Sequence, residues 1–156
     1  MELNEHNKKE FPPMHTAEHI LNQTMVRMFA CERSKNTHIE RKKSKCDYFL
    51  ASEPTKAQLD EIEARVNEQI ARNLDVSADF VELKNAPASI DLSKLPENVS
   101  QTIRLVSIGD YDICACIGDH VKNTSEIGQF KITSSNYADG KIRIRFKLEG
   151  STYREE

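Results

Sequence analysis

The sequence predicts an α+β domain, a two-layer sandwich with two main helices packed on a mostly antiparallel sheet. Three observations predict it. Leu59, Ile62, Val66, Ile70 and Leu74 recur at helical spacing. Ile142, Ile144, Phe146 and Leu148 alternate strictly with Lys141, Arg143, Arg145 and Lys147, as on a strand with one wet face. The Asp139-Gly140 pair just before that strand sets a tight antiparallel turn.

Each element follows in order. Residues 1–11 are polar and read as a lead-in. Pro12-Pro13 mark a stop before a helix over residues 15–29, whose apolar face draws on Ile20, Leu21, Val26, Met28 and Phe29. A polar, basic connector follows, with a strand starting at residues 37–39 and another over 46–50. Thr55 caps the second helix, residues 56–73. A strand over 76–83 leads to a loop over 85–98 that holds a helical turn. Strands are expected over 103–108, 111–115, 128–132 and 141–148, with turns at 123–126 and 138–140.

At 156 residues the chain is expected to form one domain, residues 1–156. A chain this long buries a real core, so it does not need a metal merely to fold. The net charge of -3 argues against a generally basic nucleic-acid binder and leaves room for a local basic face. No apolar run reaches membrane-spanning length and the start lacks an apolar leader, so the expected setting is cytoplasmic, with reduced thiols. Cys31 and Cys46 read as inert or buried thiols. Cys114 and Cys116 are too close for an ordinary disulfide, and at least one of them is a ligand candidate.

Two half-motifs carry the chemistry. His15 and His19 form HxxxH, and Cys116 and His120 form CxxxH. On a helix an i, i+4 pair shares one face, close enough to share an ion. Together the halves offer three imidazoles and a thiolate, a set that suits tetrahedral Zn2+. At a helix start the dipole disfavours imidazolium and so favours the neutral, ligating form of His15 and His19. A rival reading takes residues 15–19 as HxxEH, an inverted zinc-peptidase motif. Glu18 is then the general base, and the third ligand is drawn from Glu61, Glu63 or Glu68. That reading leaves CxxxH idle. The basic side of the last strand is at minimum a solvated face. With Arg41, Lys42, Lys43 and Lys45 it also forms a candidate phosphate-tracking patch that reads backbone and shape.

PPMHTAEHILNQTM, LDEIEARVNEQIARN and SIGDYDICACIGDHVKNTSEIGQFKI, in that order and spacing, resemble the editing domain shared by alanyl- and threonyl-tRNA synthetases. In size the chain is similar to the freestanding AlaX-type proteins. The resemblance covers about residues 12–150. It implies a zinc site made by His15, His19, Cys116 and His120, selecting Cys116 over Cys114. It implies an aminoacyl-tRNA deacylase acting in trans without ATP, removing serine or glycine wrongly attached to alanine tRNA, in the service of translation fidelity. The partner would be the aminoacylated acceptor end of tRNA, with Lys35, Arg41, Lys42, Lys43, Lys45, Arg143 and Arg145 as contacts. The oligomeric state is left open.

The chain departs from the family at several points. Cys114 stands where a carboxylate suited to the substrate's ammonium is common, and Ile117-Gly118-Asp119 replaces the usual Gly-Gly-Thr or Gly-Gly-Pro. Asp119 or Asp112 is therefore expected to take over the ammonium contact. A glycine-rich loop after the first helix is missing, and Ser34, with His38 and Thr16, is expected to line the pocket. The alternative is a zinc-stabilised tRNA-binding module without hydrolysis.

Overall fold

The computed structural model describes residues 11–87, 90 and 102–154. The lead-in expected at residues 1–11 therefore lies outside the described residues except for Phe11, as does most of the loop expected over 85–98. The chain runs α1 (Pro12–Phe29), β1 (Asn36–His38), β2 (Ser44–Phe49), α2 (Lys56–Ala71), β3 (Val76–Glu82), a 3-10 turn (Leu83–Asn85), β4 (Thr102–Ile108), β5 (Asp112–Ala115), a 3-10 turn (Thr124–Glu126), β6 (Gln129–Ala138) and β7 (Lys141–Glu149). This is the α+β class that the periodicities predict. Among the described residues, no helix is long and apolar enough to cross a membrane.

Local chemistry accounts for the ends. Pro12 and Pro13 sit inside the first turn of α1 rather than ahead of it. The first-turn amides have no helical partner, so proline loses nothing there. α2 carries a complete capping box: Thr55 Oγ1 accepts the Gln58 amide at 3.1 Å and Gln58 Oε1 accepts the Thr55 amide at 2.8 Å. Asp139 and Gly140 both have positive φ, as a tight hairpin requires. A Cβ on Gly128 would lie 2.3 Å from the Glu149 carbonyl oxygen, so only glycine lets the two backbones approach there.

Two expectations are corrected. The strands form two sheets, a four-stranded one ordered β1-β2-β7-β6 and a three-stranded one ordered β3-β4-β5, all neighbours antiparallel. β6 also runs on to Ala138, six residues past the expected end, through the polar stretch 133–137. Pairing with β7 across a bulge between Ile132 and Ser134 supplies what local propensity does not.

The reason for two sheets lies in α1. Residues 12–22 are all buried, His15, Thr16, Glu18, His19 and Asn22 among them. A helix buried on its apolar and polar sides needs a surface for each. The larger sheet supplies Cys46, Tyr48, Ile142, Ile144 and Phe146 to the main core, with Ile20, Leu21 and Met25 of α1. The smaller sheet and its β4–β5 turn supply polar partners: Gln23 donates to Asp112 at 2.8 Å, and Thr24 and Tyr111 share a 2.6 Å hydrogen bond.

One ion pair ties the outer face of the larger sheet. Asp47, 4% exposed, accepts two hydrogen bonds from Arg143 (2.8 and 3.0 Å) and one from Asn36 (2.7 Å), with Lys141 at 3.7 Å. The Arg143 hydrogen bonds hold the Asp47 carboxyl below its ordinary value against the opposing effect of burial. A depressed carboxyl stabilises the fold above its unfolded value of about 3.9, and that contribution is lost as pH falls through the folded value. Asp47→Asn should therefore lower Tm at pH 7, and thermal melts from pH 7 to 2 should show the gap to wild type closing below about pH 5. A gap independent of pH would remove the ion pair as its cause.

Candidate metal centre

Four side chains from distant parts of the chain converge at the N-terminal part of α1. The ligand atoms of His15, His19, Cys116 and His120 all lie within 4.8 Å of one another. His15 and His19 come from successive turns of α1. Cys116 and His120 come from the loop that leaves β5, so the second half-motif is not helical. His15 Nε2 is 3.4 Å from Cys116 Sγ. Ligands about 2.0–2.3 Å from a tetrahedral ion stand about 3.3–3.8 Å apart, so this edge already has the required length. The imidazoles of His15 and His120 stack at 4.1 Å, and that of His19 meets both edge-on at 5.0 and 4.5 Å.

The surrounding hydrogen bonds aim the ligands. His15 Nδ1 lies 3.0 Å from the Asp119 carbonyl oxygen. A carbonyl only accepts, so Nδ1 carries the proton and Nε2 offers its lone pair toward the cluster. His120 Nδ1 bonds Thr16 Oγ1 at 2.9 Å, and the same oxygen accepts the Val121 amide at 3.2 Å. His19 Nδ1 lies 3.6 Å from Asp112 Oδ2. The loop's path is held by Arg104, which donates to the carbonyls of Cys116 (3.0 Å) and Gly118 (2.8 Å).

Behind His19 sits a buried charge network that sequence reasoning missed. Asp112, 4% exposed, takes two hydrogen bonds from Arg33 (2.7 and 3.2 Å) besides the one from Gln23. Burial works against the Arg33 charge, but the Asp112 carboxylate and its hydrogen bonds outweigh it and raise the guanidinium above the ordinary arginine value. Arg33 reads in the sequence as one more cation of a basic connector. The available signal was on the other partner, since β5 alternation puts Asp112 and Cys114 on one face. A second network holds Glu18, whose carboxylate accepts from Asn22 at 2.9 Å and lies 3.9 Å from His15 Nε2. Asn22 Oδ1 accepts from Tyr48 at 2.6 Å. Burial, with Cys46 and Glu18 nearby, pushes the Tyr48 hydroxyl well above its usual value, so it remains a donor.

The other sequence candidates fall in different places. Cys114 is buried outside the cluster, its Sγ 3.4 Å from the Ala115 carbonyl oxygen. Asp119 has an exposed side chain on the metal loop. Thr16 is fully buried and serves His120 and Val121. Ser34 is buried too, donating to the Asn36 carbonyl oxygen and accepting the Asp47 amide, each at 3.3 Å. His38 pairs with Glu40 at 2.6 Å, away from the cluster. Lys35 pairs with Glu32 at 3.3 Å, Arg41 lies over the Phe11 ring at 4.3 Å, and Lys42 is exposed. Lys43, Lys45 and Arg145 line one depression, whereas Arg143 is held by Asp47. The glutamates of the peptidase reading are not in the cluster. Glu61 pairs with Arg65, Glu63 accepts the Ile132 amide at 2.8 Å, and Glu68 is exposed.

Fold and cluster together define an α+β domain with a buried three-histidine, one-cysteine centre that could hold a metal ion. Residues 103–145 match the family described as Threonyl and Alanyl tRNA synthetase second additional domain. The chain is 34% identical over 132 residues to the Alanine--tRNA ligase of Pseudoalteromonas translucida (strain TAC 125), covering 83% of this chain and 15% of that protein. It is 31% identical over 145 residues to the Alanine--tRNA ligase of Bacillus subtilis (strain 168), covering 92% of this chain and 16% of that protein. The Alanine--tRNA ligase of Staphylococcus aureus (strain JH9) is 26% identical over 150 residues, 96% of this chain and 17% of that protein. Over residues 103–145 the chain is similar to the second additional domain shared by threonyl and alanyl tRNA synthetases, and its alignments to alanine--tRNA ligases take in 83–96% of it. It spans 15–17% of the length of these relatives.

Proposed function

We propose that the chain hydrolyses the ester of misacylated tRNA, with seryl- or glycyl-tRNA(Ala) as substrate, at a Zn2+ held by His15, His19, Cys116 and His120. One observation carries this reading: the HxxxH and CxxxH halves meet in a single, largely buried cluster, in a chain that matches the synthetase second additional domain over residues 103–145. Three nitrogens and a thiolate suit Zn2+ better than a harder ion. A bound Zn2+ supplies Lewis acidity toward the substrate's polar groups. The protein's own part is orientation. The Asp119 carbonyl fixes the tautomer of His15, Thr16 holds the ring of His120 in place, and the Arg33-held Asp112 stands behind His19. Three of the four side chains are buried and His120 is half-buried, which limits their contact with bulk water. Four free cysteines fit work in the reducing cytoplasm.

For the substrate's ammonium, Asp119 is the better of the two expected carboxylates. Asp112 already serves Arg33 and Gln23 inside the fold, whereas Asp119 is exposed beside the ligands. The test is incubation of the purified chain with seryl-, glycyl-, threonyl- and alanyl-tRNA. The expected result is loss of the seryl or glycyl ester with the alanyl ester spared. Asp119→Asn should raise KM on the order of tenfold, the worth of one charge-assisted contact. Unchanged kinetics would remove Asp119 from that role. Ester loss from none of the four, with tRNA binding intact, would instead identify a metal-stabilised tRNA-binding module.

A further inference from the structure

The basic residues of the chain do not form one uniform surface. Lys141 and Arg143 are held by Asp47, Lys131 and Lys147 face Glu149, and Lys35 faces Glu32. Lys43, Lys45 and Arg145 differ. Among the described residues none of the three has a carboxylate within ion-pair distance, and all three line one depression of about 210 Å³ with His38, Glu40 and Ser44. The register puts His38, Lys45 and Arg145 side by side across β1, β2 and β7. Arg145 is held in place by Ser134 Oγ (3.2 Å) and Asn136 Oδ1 (3.0 Å), both through Nη1. The acid of the depression, Glu40, is engaged by His38 at 2.6 Å. Three cations around one concavity are a site for a tetrahedral oxyanion, and a guanidinium already fixed in place loses little freedom on binding it.

The depression reaches α1 through one contact. Ser44 on its wall accepts the Glu40 amide at 3.0 Å, closing the 40–44 turn, and touches Met14 Sδ at 3.4 Å. Met14 directly precedes His15 on α1.

We propose that this depression binds a backbone phosphodiester of single-stranded RNA, in the 3′ strand of the substrate. The inference rests on the proposed aminoacyl-tRNA substrate and assigns the contact to Lys43, Lys45 and Arg145 rather than to the whole basic face. A phosphate held in a built cationic pocket fixes the register of the strand, which a diffuse surface charge does not.

The test uses a labelled RNA hairpin ending in the single-stranded tRNA 3′ sequence, followed by fluorescence anisotropy across a salt series. Lys43→Ala, Lys45→Ala and Arg145→Ala together should weaken binding on the order of a hundredfold. They should also flatten the slope of log K against log salt by about 2, at about 0.7 per single-strand phosphate contact. Lys56→Ala, on the solvent side of α2, serves as the charge control and should leave both unchanged. Hydrolysis of 3′-O-seryl-adenosine, which has no phosphate, should survive in the triple variant, which also shows that the variant is folded. Wild-type affinity and slope in the triple variant would overturn the assignment, as would an equal loss in Lys56→Ala. If wild type binds the hairpin yet deacylates nothing, the hydrolytic reading fails while the phosphate site still stands or falls on the binding data.

Discussion

Cys116→Ala should abolish both metal retention and deacylation. Purified wild type is expected to carry about one zinc per chain by elemental analysis, and the variant close to none. The thiolate is the softest of the four ligands and the one whose charge offsets the ion's. Its Sγ sits 3.4 Å from His15 Nε2, so its loss opens the edge of the cluster that already has coordination length. The rate should fall on the order of 10³-fold or more, about 4 kcal/mol of transition-state stabilisation. Cys114→Ala is the matched control, because Cys114 is equally buried and two residues away but outside the cluster. Zinc content and rate should stay near wild type there. Loss of zinc in Cys114→Ala with retention in Cys116→Ala would sink the ligand assignment. Zinc retention in Glu63→Ala is expected as well, since Glu63 is spent on the Ile132 amide.

Arg33→Met should be among the most destabilising single changes in the protein. It removes the partner of a buried carboxylate and leaves Asp112 with Gln23 as its remaining strong donor. Breaking a buried pair from one side costs about 3–5 kcal/mol, because the remaining charge is neither paired nor hydrated. For a domain of this size that is a fall in Tm of about 10 °C or more. Urea melts should show the loss as a lower midpoint at similar m. The double variant Arg33→Met/Asp112→Asn should recover much of it, since the uncompensated charge is then gone. If the double variant is no more stable than Arg33→Met alone, the loss comes from packing of the arginine stem instead. Asp112 also stands behind His19, so the single variant should bind zinc more weakly even where it remains folded.

Both variants concern residues that the sequence treats unequally. The cluster of His15, His19, Cys116 and His120 was legible, because two i, i+4 half-motifs supply a chemically coherent group of four. The two helices and the alternating β7 were legible too, since periodicity records which face is buried. Arg33 was not. Nothing local distinguishes it from Lys35 or Arg41, and its role exists only because β5 brings Asp112 beneath it. The basic face was legible as charge but not as chemistry. Asp47 claims Arg143, whereas Arg145 bonds only the neutral Ser134 and Asn136 among the described residues, though in sequence the two are alternate members of one stripe.

By itself, then, the sequence determined the class of fold, the order of its elements, the residue types of the candidate metal cluster and the family resemblance. These are written in spacing and residue chemistry, which are local. Only the tertiary structure decided that the strands split into two sheets around α1, because a helix buried on its apolar and polar sides needs a surface for each. It also decided which charges are spent. A buried carboxylate must find its partner wherever the fold brings one, and that choice depends on contacts between residues far apart in the chain.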